Sequence, residues 1–331
     1  MEETVQTRLI RAEEKGAIDE ALEVLRGGGL LAFPTETVYG LGARLFDPRA
    51  LERLFSVKGR PRGRPFILHL AEKSMVFEVA ASVPEVATRL MEAFWPGPLT
   101  LVLPARPEVP MAVRGGGETV GVRIPAHPVA LELIGSLGEP LPAPSANLTG
   151  RPSPTTADHV LRDLGGKIEL VLDAGPTGIG VESTVLDLSG GRPRILRAGA
   201  VAWEDLRPFL PDLEPGGEEG PSFTFRKEVL VFSGQGKELV ESVAREYDAA
   251  KARGRRPLIL ALGEHAGEYG EREKVVWASF DRLHEAARNL FALLRELEEG
   301  EWDLFLFEPV EEKGLGRAVM SRLRRAARGA R

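Results

Sequence analysis

The sequence predicts a two-part α/β protein: a larger domain with a twisted mixed sheet (1–210), a linker (211–227) and a small parallel α/β domain (228–331). Three observations carry this. Short apolar runs of strand length recur along the chain of 331 residues, separated by stretches of helical periodicity. In the last third the two alternate regularly and the strand runs are continuously apolar, as in a parallel sheet with helices on both faces. Between the parts, PDLEPGGEEGPSFTFRK at 211–227 holds three Pro, three Gly and a short acidic run, with neither helical nor alternating period.

The first domain opens with a helix over 16–26 that stops at Gly27-Gly28-Gly29. Strands are expected at 30–34, 66–71, 98–103, 120–124, 169–173, 184–188 and 193–197, with helices at 48–57, 84–94, 128–137 and 155–163. Their irregular order argues for a mixed sheet. In the second domain, strands at 228–233, 257–262, 274–278 and 302–307 alternate with helices at 237–252, 281–299 and 315–328. The helix at 281–299 repeats Leu283, Ala286, Ala287, Leu290, Leu293, Leu294 and Leu297 at helical spacing. The turn FSGQGKE after the first of these strands reads as a tight glycine turn rather than as an anion site.

Composition narrows the function. A hydrophobic fraction of 43% with 28% charged residues is that of a globular protein, and no apolar run approaches the roughly 20 residues of a membrane span. The charged N-terminal stretch MEETVQTRLIRAEEKG is unlike a secretory signal, so a cytoplasmic location without membrane association is expected. The absence of cysteine excludes disulfides, thiolate metal sites and thiol nucleophiles. Five scattered histidines show no HxxxH or HxH spacing, which disfavours a zinc site. A net charge of -6 disfavours a general nucleic-acid coat protein, although a local basic groove remains compatible with it.

Five segments carry chemistry-bearing groups. PTETVYGLG at 34–42 follows an apolar strand and offers Thr37; alone, it reads as a strand cap and turn. KGRPRGRPFILHL at 58–70 sets Lys58, Arg60, Arg62 and Arg64 on a loop that Pro and Gly keep irregular, ahead of a strand with His69. Such cations can wrap polyphosphate, or can simply be solvated. TVGVRIP at 119–125 places Arg123 near a strand end. PAPSANLTGRPSPTTADHV at 142–160 holds Ser145, Asn147 and Ser153 in a Pro-rich loop, where capping and turn formation would suffice in isolation. TGIGVESTVLDL and RILRAGAV supply Ser183, Thr184 and Arg197. No GxxxxGKS/T loop, kinase signature or GxSxG elbow is present. Cationic loops and hydroxyls without a covalent nucleophile suit nucleotidyl transfer, where positioning and charge neutralisation dominate.

In this order, KGRP, P-x-x-x-H, PSAN and ESTVLDL make the chain resemble the YrdC-like catalytic domain of threonylcarbamoyl-AMP synthases. GLGRAVMSRLRRAA at 314–327 is similar to the closing helix of that family's second, Rossmann-like domain. The resemblance implies a nucleotidyltransferase that makes threonylcarbamoyl-AMP and pyrophosphate from L-threonine, bicarbonate and ATP. Its product would pass to a tRNA threonylcarbamoyl transferase complex. It further implies that Thr37, His69, Arg123, Ala143 (through its backbone) and Ser183 hold threonine. Lys58, Arg60, Arg64, Thr119, Ser145, Asn147, Ser153 and Arg197 would hold ATP, with Lys58 and Arg60 catalytic. Mg²⁺ would ride on the phosphates, with no protein metal site. The family usually has Asn or His where Arg64 stands, and a Tyr- and His-bearing linker motif where this chain has GGEEGPSFTF. Residues 216–222 are therefore expected to act as a tether, any aromatic cover coming from Phe223 or Phe225. The competing readings are an RNA-binding module and an adenylate-binding protein without synthase activity.

Overall fold

The computed structural model describes residues 5–217, 223 and 225–329. The expected tether at 216–222 thus lies, beyond Gly217, outside the described residues. Two compact units emerge. Among the described residues, one comprises the chain up to Thr149 and from Ser153 to Gly217; the other comprises Gly150–Pro152, Phe223 and the chain from Phe225 onward.

The first unit begins with β1 (Arg8–Arg11), α1 (Ala17–Arg26), β2 (Leu31–Phe33), β3 (Gly40–Gly42), α2 (Pro48–Lys58) and β4 (Ile67–His69). Next come α3 (Val76–Val79), α4 (Glu85–Phe94), β5 (Leu99–Pro104), β6 (Thr119–Arg123), α5 (Pro128–Leu137) and β7 (Leu141–Pro142). It closes with α6 (Ala157–Leu164), β8 (Leu170–Asp173), β9 (Thr184–Asp187), β10 (Arg194–Arg197) and α7 (Trp203–Leu206). The strands form two mixed sheets rather than one, ordered β1-β8-β2-β3 and β10-β9-β5-β6-β4-β7. In the second sheet β4 runs parallel to β6, so that His69 lies beside Arg123. β7 is antiparallel to β4 on its other side. β5 joins β6 and β9, which brings the strand after Ser183 into the same sheet.

Local chemistry sets the ends of these elements. The Asp47 carboxylate accepts from the backbone N–H groups of Arg49 and Ala50, at 2.9 and 3.1 Å, and Pro48 occupies the first helical position of α2. Gly59, with φ 58°, ends that helix in the left-handed conformation. Lys58 is therefore the last residue of a helix, not part of the irregular loop expected from the sequence. Inside, Leu30, Leu31, Phe33, Leu54, Leu68, Leu101, Val122 and Leu172 belong to one continuous core.

The second unit is built from β11 (Glu228–Val231), α8 (Gly236–Ala252), β12 (Pro257–Leu262), β13 (Lys274–Ala278), α9 (Leu283–Glu299), β14 (Leu304–Phe307) and α10 (Leu315–Gly329). All strand pairs are parallel, in the order β11-β14-β12-β13. Every residue of β12 and β14 is buried, so both faces of the central strands are covered. Phe223 and Phe225 belong to this interior. Phe223 packs edge-on against Phe291 at 6.2 Å and Phe225 against Phe305 at 5.6 Å. Their exposures of 5% and 0% make them core residues, which corrects the expectation of an aromatic cover.

Candidate active site

The loop after β2 is organised by Thr35. Its hydroxyl donates to the Val38 carbonyl at 2.6 Å and accepts from the N–H groups of Thr37 and Val38. With the Thr35 proton committed, Thr37 is the donor in the 2.9 Å contact between the two hydroxyls. The Thr37 oxygen then accepts from Arg123 Nη2 at 3.1 Å. Arg123 also donates through Nε to His69 Nε2 at 3.0 Å and through Nη1 to Glu36 Oε1 at 3.3 Å. Because His69 Nε2 accepts, the neutral ring carries its proton on Nδ1. Burial, reinforced by the Arg123 charge, holds the His69 pKa well below the ordinary imidazole value. Burial likewise lowers the Arg123 pKa, opposed by the Glu36 carboxylate. One enclosed atom here, Glu36 Oε2, lacks a hydrogen-bond partner among the described residues. Ala143 comes alongside because its N–H donates to the Ile67 carbonyl at 3.1 Å, two residues before His69.

Ser183 anchors the other side. Its hydroxyl contacts Thr100 Oγ1 at 2.8 Å and accepts from Arg197 Nη2 at 2.9 Å, while Arg197 Nε donates to the Ser183 carbonyl at 2.9 Å. The chain after Arg197 turns back on the same backbone: a Cβ at Gly199 would stand 2.3 Å from the Ser183 carbonyl carbon and the Thr184 nitrogen. Only glycine permits that approach. Ser153 Oγ donates to Glu182 Oε1 at 2.7 Å, so a buried carboxylate joins this edge. Gly217 in the linker accepts from Ala198 N–H at 3.2 Å.

Lys58 organises the PSAN loop. Its ammonium donates to the carbonyls of Ser145 and of Asn147, the latter at 2.6 Å, and its own carbonyl accepts from Thr149 N–H at 2.8 Å. At 3% exposure it is not a solvated loop cation, the second of the two readings open from the sequence. Burial, aided by the charge of Arg60 and opposed by Asp163, pushes its pKa down to about 7. Two of its three N–H groups are engaged, which leaves one for a ligand. Arg60 is half-buried, lies over the Phe66 ring at 5.1 Å and donates to the Pro65 carbonyl at 2.8 Å. Burial and then the Arg64 charge lower its pKa to about 10. Arg64 is exposed, and Thr119 begins β6 half-buried.

Three contact groups result: Thr37, His69 and Arg123 with Ala143 alongside; Ser183 with Arg197; and Lys58 with Ser145 and Asn147. The Arg197 charge reaches the His69 ring, which couples the first two groups. No polar contact links Arg64 or Thr119 to them. Sequence reasoning missed Glu36, Thr35, Thr100 and Glu182, although Thr35 and Glu36 stand inside the motif PTET and Glu182 inside ESTV. Among the described residues no three His, Asp or Glu side chains converge as metal ligands.

This is an α/β protein whose site combines buried cations, hydroxyls and loop carbonyls, suited to binding and polarising small charged reactants. The family model described as "Telomere recombination", of the Sua5, YciO and YrdC proteins, matches residues 23–199. The model for "Threonylcarbamoyl-AMP synthase, C-terminal domain" matches 223–328. The threonylcarbamoyl-AMP synthase of Pyrococcus abyssi is 40% identical over 328 residues, 95% of each chain. That of Bacillus subtilis is 38% identical over 325 residues, 94% of this chain and 93% of its own. A crystal structure of P. abyssi Sua5 complexed with L-threonine superposes with a TM-score of 0.88 at 40% identity, covering 98% of both chains. The chain belongs to the threonylcarbamoyl-AMP synthase family, in its two-domain form.

Proposed function

We propose that this protein is an L-threonylcarbamoyladenylate synthase. It joins L-threonine, bicarbonate and ATP into threonylcarbamoyl-AMP and pyrophosphate, for threonylcarbamoyladenosine modification of tRNA. The observation that carries the reading is the structural likeness, along almost the whole chain, to a relative solved with L-threonine. Thr37, His69, Arg123, the Ala143 backbone and Ser183 hold threonine; Lys58, Arg60, Arg64, Thr119, Ser145, Asn147, Ser153 and Arg197 hold ATP. The threonine amine takes up a carbon dioxide equivalent from bicarbonate, and the resulting carbamate oxygen attacks the α-phosphorus as pyrophosphate leaves. Lys58, with one N–H free, and Arg60 balance the charge that grows on the phosphoryl oxygens. Mg²⁺ would ride on the nucleotide's phosphates and would supply further charge neutralisation there. The product passes to a tRNA threonylcarbamoyl transferase complex in the cytoplasm.

The test is pyrophosphate release by the full chain, with omission of each reactant and identification of the adenylate by mass spectrometry. Release that requires ATP, L-threonine and bicarbonate together is expected. Release independent of threonine or of bicarbonate would refute the assignment.

A further inference from the structure

Glu36 lies outside every ligand role considered so far, yet it is enclosed in the first contact group. Its carboxylate is in contact with Arg123 through Oε1, and its other oxygen has no partner among the described residues. A buried carboxylate oxygen without a donor costs free energy, and burial of the whole residue to 9% exposure prevents water from offsetting that cost freely. The neighbouring His69 cannot supply the missing donor: its Nε2 accepts from Arg123, and its ring is further hydrogen-bonded to the backbone at Ile67 and Leu141. One buried acceptor is therefore left open beside the guanidinium.

The charges sharpen the pattern. Arg123 has five N–H donors, of which the contacts to His69, Glu36 and Thr37 use three, so two remain. Glu36 is the one carboxylate in contact with Arg123 among the described residues. A cation with spare donors beside an anion with a spare acceptor matches a zwitterion, whose carboxylate turns to Arg123 and whose ammonium turns to the carboxylate. Thr37, Ser183 and Thr100 are hydroxyls and supply no full negative charge for the ammonium. His127, the other titratable group that senses the Glu36 charge, has its own pKa lowered chiefly by burial and is not an anion.

We propose that Glu36 binds the α-ammonium group of the amino-acid substrate through Oε2 and so makes the pocket select free α-amino acids. This rests on the synthase reading above. It assigns to Glu36 a specificity role and not merely the orientation of Arg123.

The experiment is calorimetric titration of the full chain with L-threonine and with (2S,3R)-2,3-dihydroxybutanoate, in which a hydroxyl replaces the ammonium. The wild-type protein should prefer threonine strongly. Glu36→Gln should weaken threonine binding by about 10- to 100-fold, the range for a charge-assisted hydrogen bond. Binding of the dihydroxy acid should change by less than about threefold, so that the preference collapses. Glu36→Asp, which keeps the charge, should retain most of the preference, and unchanged ATP binding by both variants confirms that the fold persists. Equal weakening of both ligands in Glu36→Gln would show that Glu36 acts only by holding Arg123, and unchanged threonine affinity would show no role; either overturns the proposal. Failure of the wild-type protein to bind threonine at all would instead overturn the synthase reading beneath it.

Discussion

Replacing Arg123 by Met removes a guanidinium that is 3% exposed and makes three side-chain hydrogen bonds. The largest loss is at Glu36, whose carboxylate would remain buried with neither oxygen paired. Breaking a buried ion pair from one side costs about 3–5 kcal/mol, because the surviving charge is stranded. The bonds to His69 and Thr37 add roughly 1 kcal/mol each. Arg123→Met should therefore destabilise the first unit by on the order of 5 kcal/mol. Glu36→Gln in the same background removes the stranded charge, so the double variant should be more stable than additivity predicts by about 2–3 kcal/mol. Hydrogen exchange read by mass spectrometry over β6 and the 34–39 loop of the full chain reports this unit alone, which avoids assuming that both units unfold together. A cost below about 1 kcal/mol for Arg123→Met, or strict additivity in the double variant, would refute the reasoning.

Three further outcomes are expected. Lys58→Met and Arg60→Ala should each lower adenylate formation by at least about 10²-fold, the scale of one lost charge-stabilising donor, and near-normal turnover in a pyrophosphate assay would contradict their roles. Valine should be a far poorer substrate than threonine, with serine between them, because a site that pairs the substrate hydroxyl leaves its own groups unmatched without it; competition under limiting amino acid measures this. The Lys58 pKa of about 7 lies below that of an unfolded lysine, so between the two values the folded protein binds fewer protons and Lys58 contributes stability that rises with pH. ATP phosphates favour the charged form, so binding at pH 8 should take up protons, an uptake that vanishes below about pH 6 and in Lys58→Met; titration in buffers of different ionisation enthalpy would detect it.

The longer helices and the strands built on continuous apolar runs were legible because their apolar spacing is dictated by the core they face. The helix at 128–137 and the strands at 257–262 and 274–278 match the structure residue for residue. The strands β1, β3 and β7 were not legible. Their sequences, RLIR, GLG and LP, carry no period of two, and they are strands because a neighbour presents an edge to them. The candidate site residues were found by motif, but their arrangement was not. Nothing local reveals that His69 and Arg123 share a register, or that Gly199 must lie against Ser183; both follow from long-range pairing. Phe223 and Phe225 misled for the opposite reason. A Pro- and Gly-rich context reads as solvent-exposed, yet each ring fills a place in the second unit's core.

Lys58 draws these threads together. At the C-terminal end of α2 an ammonium meets the negative pole of the helix, which favours its charge, while its burial disfavours it. The two loop carbonyls from Ser145 and Asn147 settle the balance only in part, and they depend on Lys58 as much as it depends on them. Without the ammonium both carbonyls would lose a donor, and the PSAN loop would lose the contact that ties it to the end of α2. A cation tied in this way costs little further side-chain entropy when a phosphate arrives, because it is already held in place. A surface lysine would lose that freedom on binding. The same geometry makes arginine a poor substitute at this position: a planar fork fixes the directions of its donors, whereas an ammonium can turn single donors toward two carbonyls and a ligand. On the proposed function, positioning of the loop and neutralisation of the phosphates would fall to one side chain.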